Sequence, residues 1–247
     1  MDRAEAYNSR PRSCHCKAVF LDRDGTLSTT DAAKAALRDR AIGQLIGDAA
    51  FALTPDAHMA AFWRVREEPG TWPVNTLPRE AVFWQRWYAH ILQDHGAAGD
   101  LDALAASLYQ RFRYHEMMQP YPEAVPVLEA LRAHGYRLGV ISDTFPSLEL
   151  SLRAMGIAHF FDAFTASSIV GAGKPDPAIF QAATAALRVR PEECVFVDDC
   201  LEEADGARAQ GFTAFHLDRE RGAPDWDTWT LSSLQDLGLF LGLAGSA

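Results

Sequence analysis

Four apolar residues, Ala18-Val19-Phe20-Leu21, run directly into Asp22-Arg23-Asp24-Gly25-Thr26-Leu27. A short, wholly apolar run bounded by turn residues reads as a strand buried on both faces. The pattern recurs at Tyr136–Ile141, Cys194–Val197 and Phe212–Leu217, and more weakly at Phe161–Ala166. Helical spacing fills the intervals Pro122–His134, Pro146–Met155, Pro177–Leu187 and Leu201–Gln210. Gly135, Gly156 and Gly211 stand where three of these helices should stop. A last short strand and an amphipathic helix are expected over Trp229–Leu241. Strands alternating with helices predict an α/β fold, a Rossmann-like parallel sheet with helices on both faces.

Residues 31–120 break the alternation and read as helices throughout: Ala32–Phe51, Pro55–Glu68, Pro78–His95 and Leu101–His115. Thr54-Pro55 pairs an N-cap with proline at the first helical position, and Asp100 caps the next helix. The expected organisation is a flexible arm over 1–16, a sheet core from 17–30 and 121–247, and an inserted α-helical domain over 31–120. The spacing of Trp84, Trp87, Tyr88 and Ile91 predicts a packing face. Trp72, in a Pro-flanked loop, is the leading candidate in the insert for a substrate contact.

Composition narrows the class. The chain has 247 residues, 48% of them hydrophobic, enough for a core domain with an insert. A formal net charge of −10 argues against a nucleic-acid surface. Four cysteines give no disulfide framework, and Cys14-His15-Cys16 is too cramped a metal motif without a second pair. No signal-peptide core or membrane-length apolar run is present, so a cytoplasmic protein without membrane contact is expected.

The polar residues at the strand ends carry the chemistry. Alternate residues of a strand share a side, so Asp22 and Asp24 can face one site. Ser142-Asp143-Thr144 follows one apolar run and Asp198-Asp199 another, and Gly173-Lys174-Pro175-Asp176-Pro177 precedes a helix. Ligands of open α/β sheets bind outside the carboxyl ends of the strands. These stretches should therefore meet there, as a set suited to a phosphoryl group beside a divalent cation. Asp-x-Asp-Gly-Thr arises by chance at roughly 10⁻⁵ per position with average residue usage.

In this order the motifs resemble those of the haloacid dehalogenase-like hydrolases, and the resemblance spans residues 17–242. Asp22-x-Asp24-Gly25-Thr26 is similar to the first motif, Ser142 to the second, Lys174 to the third and Asp198-Asp199 to the fourth. The insert resembles the helical cap of the phosphoglycolate phosphatase-like subgroup, which implies a cap that closes over the crevice and chooses the substrate. The resemblance implies a Mg²⁺-dependent phosphatase for a small phosphate ester, with Asp22 as nucleophile and Asp24 as general acid and base. Asp22, the backbone carbonyl of Asp24, and Asp199 would hold Mg²⁺. Ser142 and Lys174 would bind the phosphoryl oxygens, with Arg23, Gly25, Thr26 and Asp143 completing the substrate-binding set through the N–H groups after Asp22 and the loop after Ser142. Asp198 and Glu203 would support the site, and Cys200 reads as a small packed residue.

Dehalogenases of this superfamily lack the second acid of the first motif, so Asp24 speaks against dehalogenation. Lys34, the one lysine of the insert, is a poor basis for a Schiff-base phosphonate hydrolase. A sugar phosphomutase and a non-catalytic scaffold remain alternatives. The chain is expected as a monomer or homodimer.

Overall fold

The computed structural model describes residues 16–243. The arm expected over 1–16 therefore lies outside the described residues except for Cys16, as do Cys14 and His15. In chain order the elements are β1 (Ala18–Leu21), β2 (Ser28–Thr30), α1 (Ala32–Ile46), α2 (Pro55–Glu67), α3 (Leu77–Asp94), α4 (Leu101–Arg111) and β3 (Met118–Pro120). There follow α5 (Ala124–Ala133), β4 (Arg137–Ser142), α6 (Leu148–Ala154), β5 (Ala163–Ala166), α7 (Ser167–Val170), α8 (Pro177–Leu187), β6 (Cys194–Asp198), α9 (Leu201–Ala209), β7 (Thr213–Leu217), β8 (Thr230–Leu231) and α10 (Leu234–Leu241).

Among the described residues, six strands form one parallel sheet in the order β5-β4-β1-β6-β7-β8. The predicted α/β class holds. The chain steps outward from β1 to β4 and β5, then returns past β1 to β6, β7 and β8. The strand order thus reverses beside β1, where open sheets of this kind place their ligand crevice. Leu21 lies level with Val140 on one side and Val197 on the other. Residues just past β1, β4 and β6 consequently emerge at the same end of the sheet.

The apolar residues of β1 alternate between two buried faces. Ala18 and Phe20 join Phe180, Phe196 and Phe212 in one cluster, where T-shaped ring contacts at 5.7–6.0 Å link Phe20 to Phe212 and Phe180 to Phe196. Val19 and Leu21 point the other way and are also buried. This is why the strand carries no polar position until Asp22.

The chain divides into two compact units. One comprises the segments up to Thr29, Pro120–Asp143 and from Gly156 onward, and carries the parallel sheet. The other comprises Thr30–Gln119 together with Thr144–Met155. The short second segment differs from the sequence-based boundary, and its packing explains why. Phe145 sits 5.1 Å from the rings of both Phe83 and Trp84. Buried Glu80 accepts hydrogen bonds from the N–H (2.9 Å) and the hydroxyl (2.5 Å) of Ser147.

In the helical unit Trp84, Trp87, Tyr88 and Ile91 are buried, as their spacing predicts. Trp87 Nε1 donates to the His58 carbonyl (3.1 Å) and the Tyr88 hydroxyl to the Phe112 carbonyl (2.9 Å). Two helices end earlier than expected. Gly47, in the left-handed conformation at φ 76°, closes α1, and α4 stops at Arg111 because Phe112 leaves the helical region. The ribbon of β2 and β3 was not anticipated; three-residue strands carry too little pattern to read.

Burial holds the pKa of His58 below its ordinary value, with Arg38 adding to the effect, and burial also lowers that of His115. A folded-state pKa below the unfolded value means that the unfolded chain binds more protons, so this contribution to stability is present above about pH 6.5 and lost as pH falls. On acidification from about pH 7.5 to about pH 5.5 the urea midpoint of wild type is expected to drop relative to that of His58→Gln, whichever way both move. Equal slopes for wild type and variant would remove His58 from the account.

Candidate active site

Asp22 follows β1 directly, and its N–H donates to the Val197 carbonyl of β6 at 3.0 Å, which carries the sheet pairing one residue beyond the strand. Asp198 is the last residue of β6 and Ser142 the last of β4; both are 1% exposed. Lys174 arrives on the loop before α8. Asp143 holds that loop, accepting from the Lys174 N–H at 3.0 Å, while Asp176 caps α8 through the Ala178 N–H. Helix α9 approaches the same loop closely: a Cβ on Gly206 would lie 2.4 Å from Pro175 Cβ.

The Lys174 ammonium is shared by three carboxylates. It lies 2.7 Å from Asp22 Oδ1, 2.6 Å from Asp198 Oδ2 and 2.6 Å from Glu203 Oε2. One positive charge cannot neutralise three negative ones, and both sides of the imbalance are visible. Burial opposes the charged ammonium, but the three carboxylates outweigh it and hold Lys174 well above its ordinary pKa. Burial pushes Asp22 up to about 7 and Asp198 up to about 6 despite the lysine. Asp199 is also raised by burial, against the pull of Lys174 and Arg219.

The turn after Asp22 is tightly closed. Leu27 and Ser28 N–H groups donate to the Arg23 carbonyl (2.9 and 2.8 Å), and Gly25 N–H donates to the Ser28 carbonyl (2.9 Å). Gly25 has φ +74°, and a Cβ there would lie 2.0 Å from Asp199 Oδ2. Both the backbone conformation and the closeness of the fourth motif require glycine. Asp24 is the open member of the group, its side chain 46% exposed, and the buried Arg23 guanidinium grips it through Nε (2.9 Å) and Nη2 (2.6 Å).

The structure thus joins Asp22, Lys174, Asp198 and Glu203 directly and packs Asp199 against Gly25. The Arg23 side chain is occupied by Asp24. Asp143 anchors the Lys174 loop. Cys200 is exposed, contrary to expectation: at the N-cap of α9 its side chain faces outward while its N–H donates to Asp198 Oδ1 (2.9 Å). Thr26 is fully buried.

Two residues with no motif signal also touch the site backbone. His216 Nε2 lies 3.1 Å from the Asp199 carbonyl, and Arg219 reaches the carbonyls of Gly25 (2.8 Å) and Thr26 (2.7 Å). Both lie in or just after β7, and only the packing of that strand end against the Asp22 turn reveals them.

Within the helical unit, Trp72 is 40% exposed and stacks its ring 4.6 Å from the Arg66 guanidinium. Arg64 pairs with Asp94, and Arg79 donates to the Gly70 carbonyl. Lys34 donates to the Glu116 carbonyl at 2.7 Å and lies 3.6 Å from Asp31.

Among the described residues, no group of three or more His, Cys, Asp or Glu side chains is arranged to hold a metal alone. The expected set is two carboxylates, Asp22 and Asp199, plus the Asp24 carbonyl, and the Asp24 side chain is indeed turned to Arg23. An excess of buried, under-neutralised carboxylate oxygens is the donor chemistry that a hard divalent cation matches.

Replacing Lys174 with Met is expected to cost about 3–5 kcal/mol at neutral pH, since three carboxylates would stay without their counter-charge. Their folded-state pKa values, already above 3.8 for Asp22 and Asp198, would rise further. The folded variant would then bind more protons than the unfolded chain and regain stability as pH falls from about 7 toward about 5. Urea unfolding of chelator-treated protein at both pH values checks this; an unchanged deficit would contradict the charge account.

The haloacid dehalogenase-like hydrolase family model matches residues 16–211. A protein named Phosphatase MT3486 of Mycobacterium tuberculosis is 30% identical over 88% of this chain and 94% of its own length. A glyceraldehyde 3-phosphate phosphatase of Methanothermobacter thermautotrophicus is 31% identical over 83% of this chain and 86% of its own. The crystal structure of a 2-haloacid dehalogenase from Pseudomonas syringae pv. Tomato is 27% identical, with a TM-score of 0.66 over 92% of this chain and 98% of that one. With an aspartate at the tip of β1, a buried lysine and paired acids in the family order, the chain belongs to the haloacid dehalogenase-like hydrolases.

Proposed function

We propose that this hydrolase is a Mg²⁺-dependent phosphatase acting on a small phosphorylated metabolite through an aspartyl-phosphate on Asp22. The observation that carries the reading is the acid pair of the first motif: a buried carboxylate held by Lys174, and two residues on a more exposed carboxyl held by Arg23. Relatives named as phosphatases and as dehalogenases both occur. Displacing a halide requires no proton donor, whereas expelling an alkoxide from phosphorus does. Asp24 supplies that donor.

In the first step an Asp22 oxygen bonds to phosphorus as the ester P–O bond breaks, and Asp24 gives its proton to the leaving oxygen. In the second, the Asp24 carboxylate takes a proton from water, whose oxygen attacks phosphorus and frees phosphate and Asp22. Lys174 offsets the repulsion between the substrate dianion and the carboxylates. The Ser142 hydroxyl and the N–H groups of the Asp22 turn bind the phosphoryl oxygens. Asp22, the Asp24 carbonyl and Asp199 would hold Mg²⁺, which supplies the positive charge that the lysine alone does not. Asp198 and Glu203 keep the ammonium in place.

The test is release of phosphate from p-nitrophenyl phosphate and from alkyl phosphates, with Mg²⁺ and with chelator. Asp22→Asn is expected to lose on the order of 10³-fold or more of kcat. Asp24→Asn is expected to lose about 10²–10⁴-fold on alkyl phosphates and less on the aryl ester, whose leaving group needs less protonation. Full turnover by Asp22→Asn, or faster release of halide from 2-haloacids than of phosphate from any ester, would defeat the reading.

A further inference from the structure

Arg219 lies two residues past β7, in a stretch that carries no motif. All three of its guanidinium nitrogens are engaged. Nε donates to the Gly25 carbonyl (2.8 Å), Nη2 to the Thr26 carbonyl (2.7 Å), and Nη1 pairs with Glu123 Oε1 (2.5 Å). The Tyr121 ring lies 3.5 Å from the guanidinium carbon, so the fork is held on its edge and its face. Tyr121 is itself tied to the turn, its N–H donating to the Leu27 carbonyl at 3.0 Å.

The two carbonyls belong to the turn that carries Asp24. A peptide group is planar and trans, so fixing a carbonyl also fixes the direction of the next N–H. Holding the Gly25 carbonyl therefore aims the Thr26 N–H, and holding the Thr26 carbonyl aims the Leu27 N–H, which closes the turn onto the Arg23 carbonyl. Gly25, at φ +74° and without a side chain, has little of its own to hold this geometry. A planar fork of donors meets two adjacent carbonyls at once, which a lysine ammonium does not do with fixed direction.

We propose that Arg219 is a positioning residue for the catalytic turn. By pinning the Gly25 and Thr26 peptides from behind, it keeps the Thr26 N–H and the Asp24 carboxyl aligned for phosphoryl transfer, and Glu123 and Tyr121 hold Arg219 to that task. The catalytic part rests on the phosphatase reading; the pinning of the turn does not.

The experiment compares Arg219→Met, Arg219→Lys and Glu123→Gln with wild type in three measurements. These are kcat and KM on p-nitrophenyl phosphate with Mg²⁺, amide hydrogen exchange at Gly25, Leu27 and Ser28, and thermal unfolding. Arg219→Met is expected to lower kcat on the order of 10- to 100-fold with KM within about threefold, because misalignment costs the transition state more than binding. Exchange at the three amides should speed up by about tenfold or more while distant core amides keep their protection. Arg219→Lys should recover part of kcat, and Glu123→Gln should lose only several-fold.

Wild-type kcat together with wild-type exchange in Arg219→Met would overturn the proposal. So would a loss that Arg219→Lys leaves unrelieved and that accompanies uniformly faster exchange across the core, since that pattern marks general destabilisation. If the wild-type protein hydrolyses no phosphate ester, the phosphatase reading fails, and exchange at the three amides alone decides whether Arg219 pins the turn.

Discussion

One ammonium shared among three carboxylates organises the sheet-bearing unit. Lys174 bridges Asp22 at the tip of β1, Asp198 at the end of β6 and Glu203 in the first turn of α9. Such a cluster is costly to bury, since each ion gives up hydration and the attraction returns it only where geometry is close. The charges here do not balance, and burial holds the pKa values of Asp22 and Asp198 up despite the lysine. A structure built for stability alone would do better with apolar residues of similar volume. Under the proposed phosphatase reading, a bound cation would offset the excess negative charge.

The rest of the unit serves that cluster. Parallel pairing on both sides of β1 brings three strand ends level, and the reversal of strand order opens a place beside them. Asp143, Asp176 and the close approach at Gly206 set the Lys174 loop. Arg219 and His216 hold the backbones of the Asp22 turn and of Asp199. The acidic cluster is thus surrounded by groups whose hydrogen bonds hold its loops and turns in place. The helical unit has a core of its own, in which Trp87 and Tyr88 settle their polar atoms within the unit.

The legible part of the site was the part written in local pattern. Asp22 and Asp24 follow an apolar run, and Asp198-Asp199 follows another, so their placement at strand ends could be read directly. The family order then singled out Ser142 and Lys174. Glu203 was legible only as a supporting acid; its contact with Lys174 required α9 to dock beside the lysine loop. The segment 144–155 looked like the next core helix, because nothing in its spacing shows that Phe145 packs among the aromatic rings of the helical unit or that Ser147 meets Glu80. Cys200 looked packed because it is small and holds a position where the family often has serine, but at the N-cap of α9 it is exposed.

By itself the sequence determined the strands of the main sheet and most of the helices, which residue types crowd the carboxyl end of the sheet, and hence the family. These are consequences of hydrophobic period and of short motifs, both set by residues close together along the chain. The tertiary structure decided which carboxylates share the lysine, which acid is turned onto Arg23, and which arginine holds the carbonyls of Gly25 and Thr26. The farthest-reaching of those choices join residues more than a hundred positions apart, as Asp22 is from Lys174 and Gly25 from Arg219. Hydrogen bonds and ion pairs are decided over a few ångströms of space, and only the folded sheet brings such partners within that range.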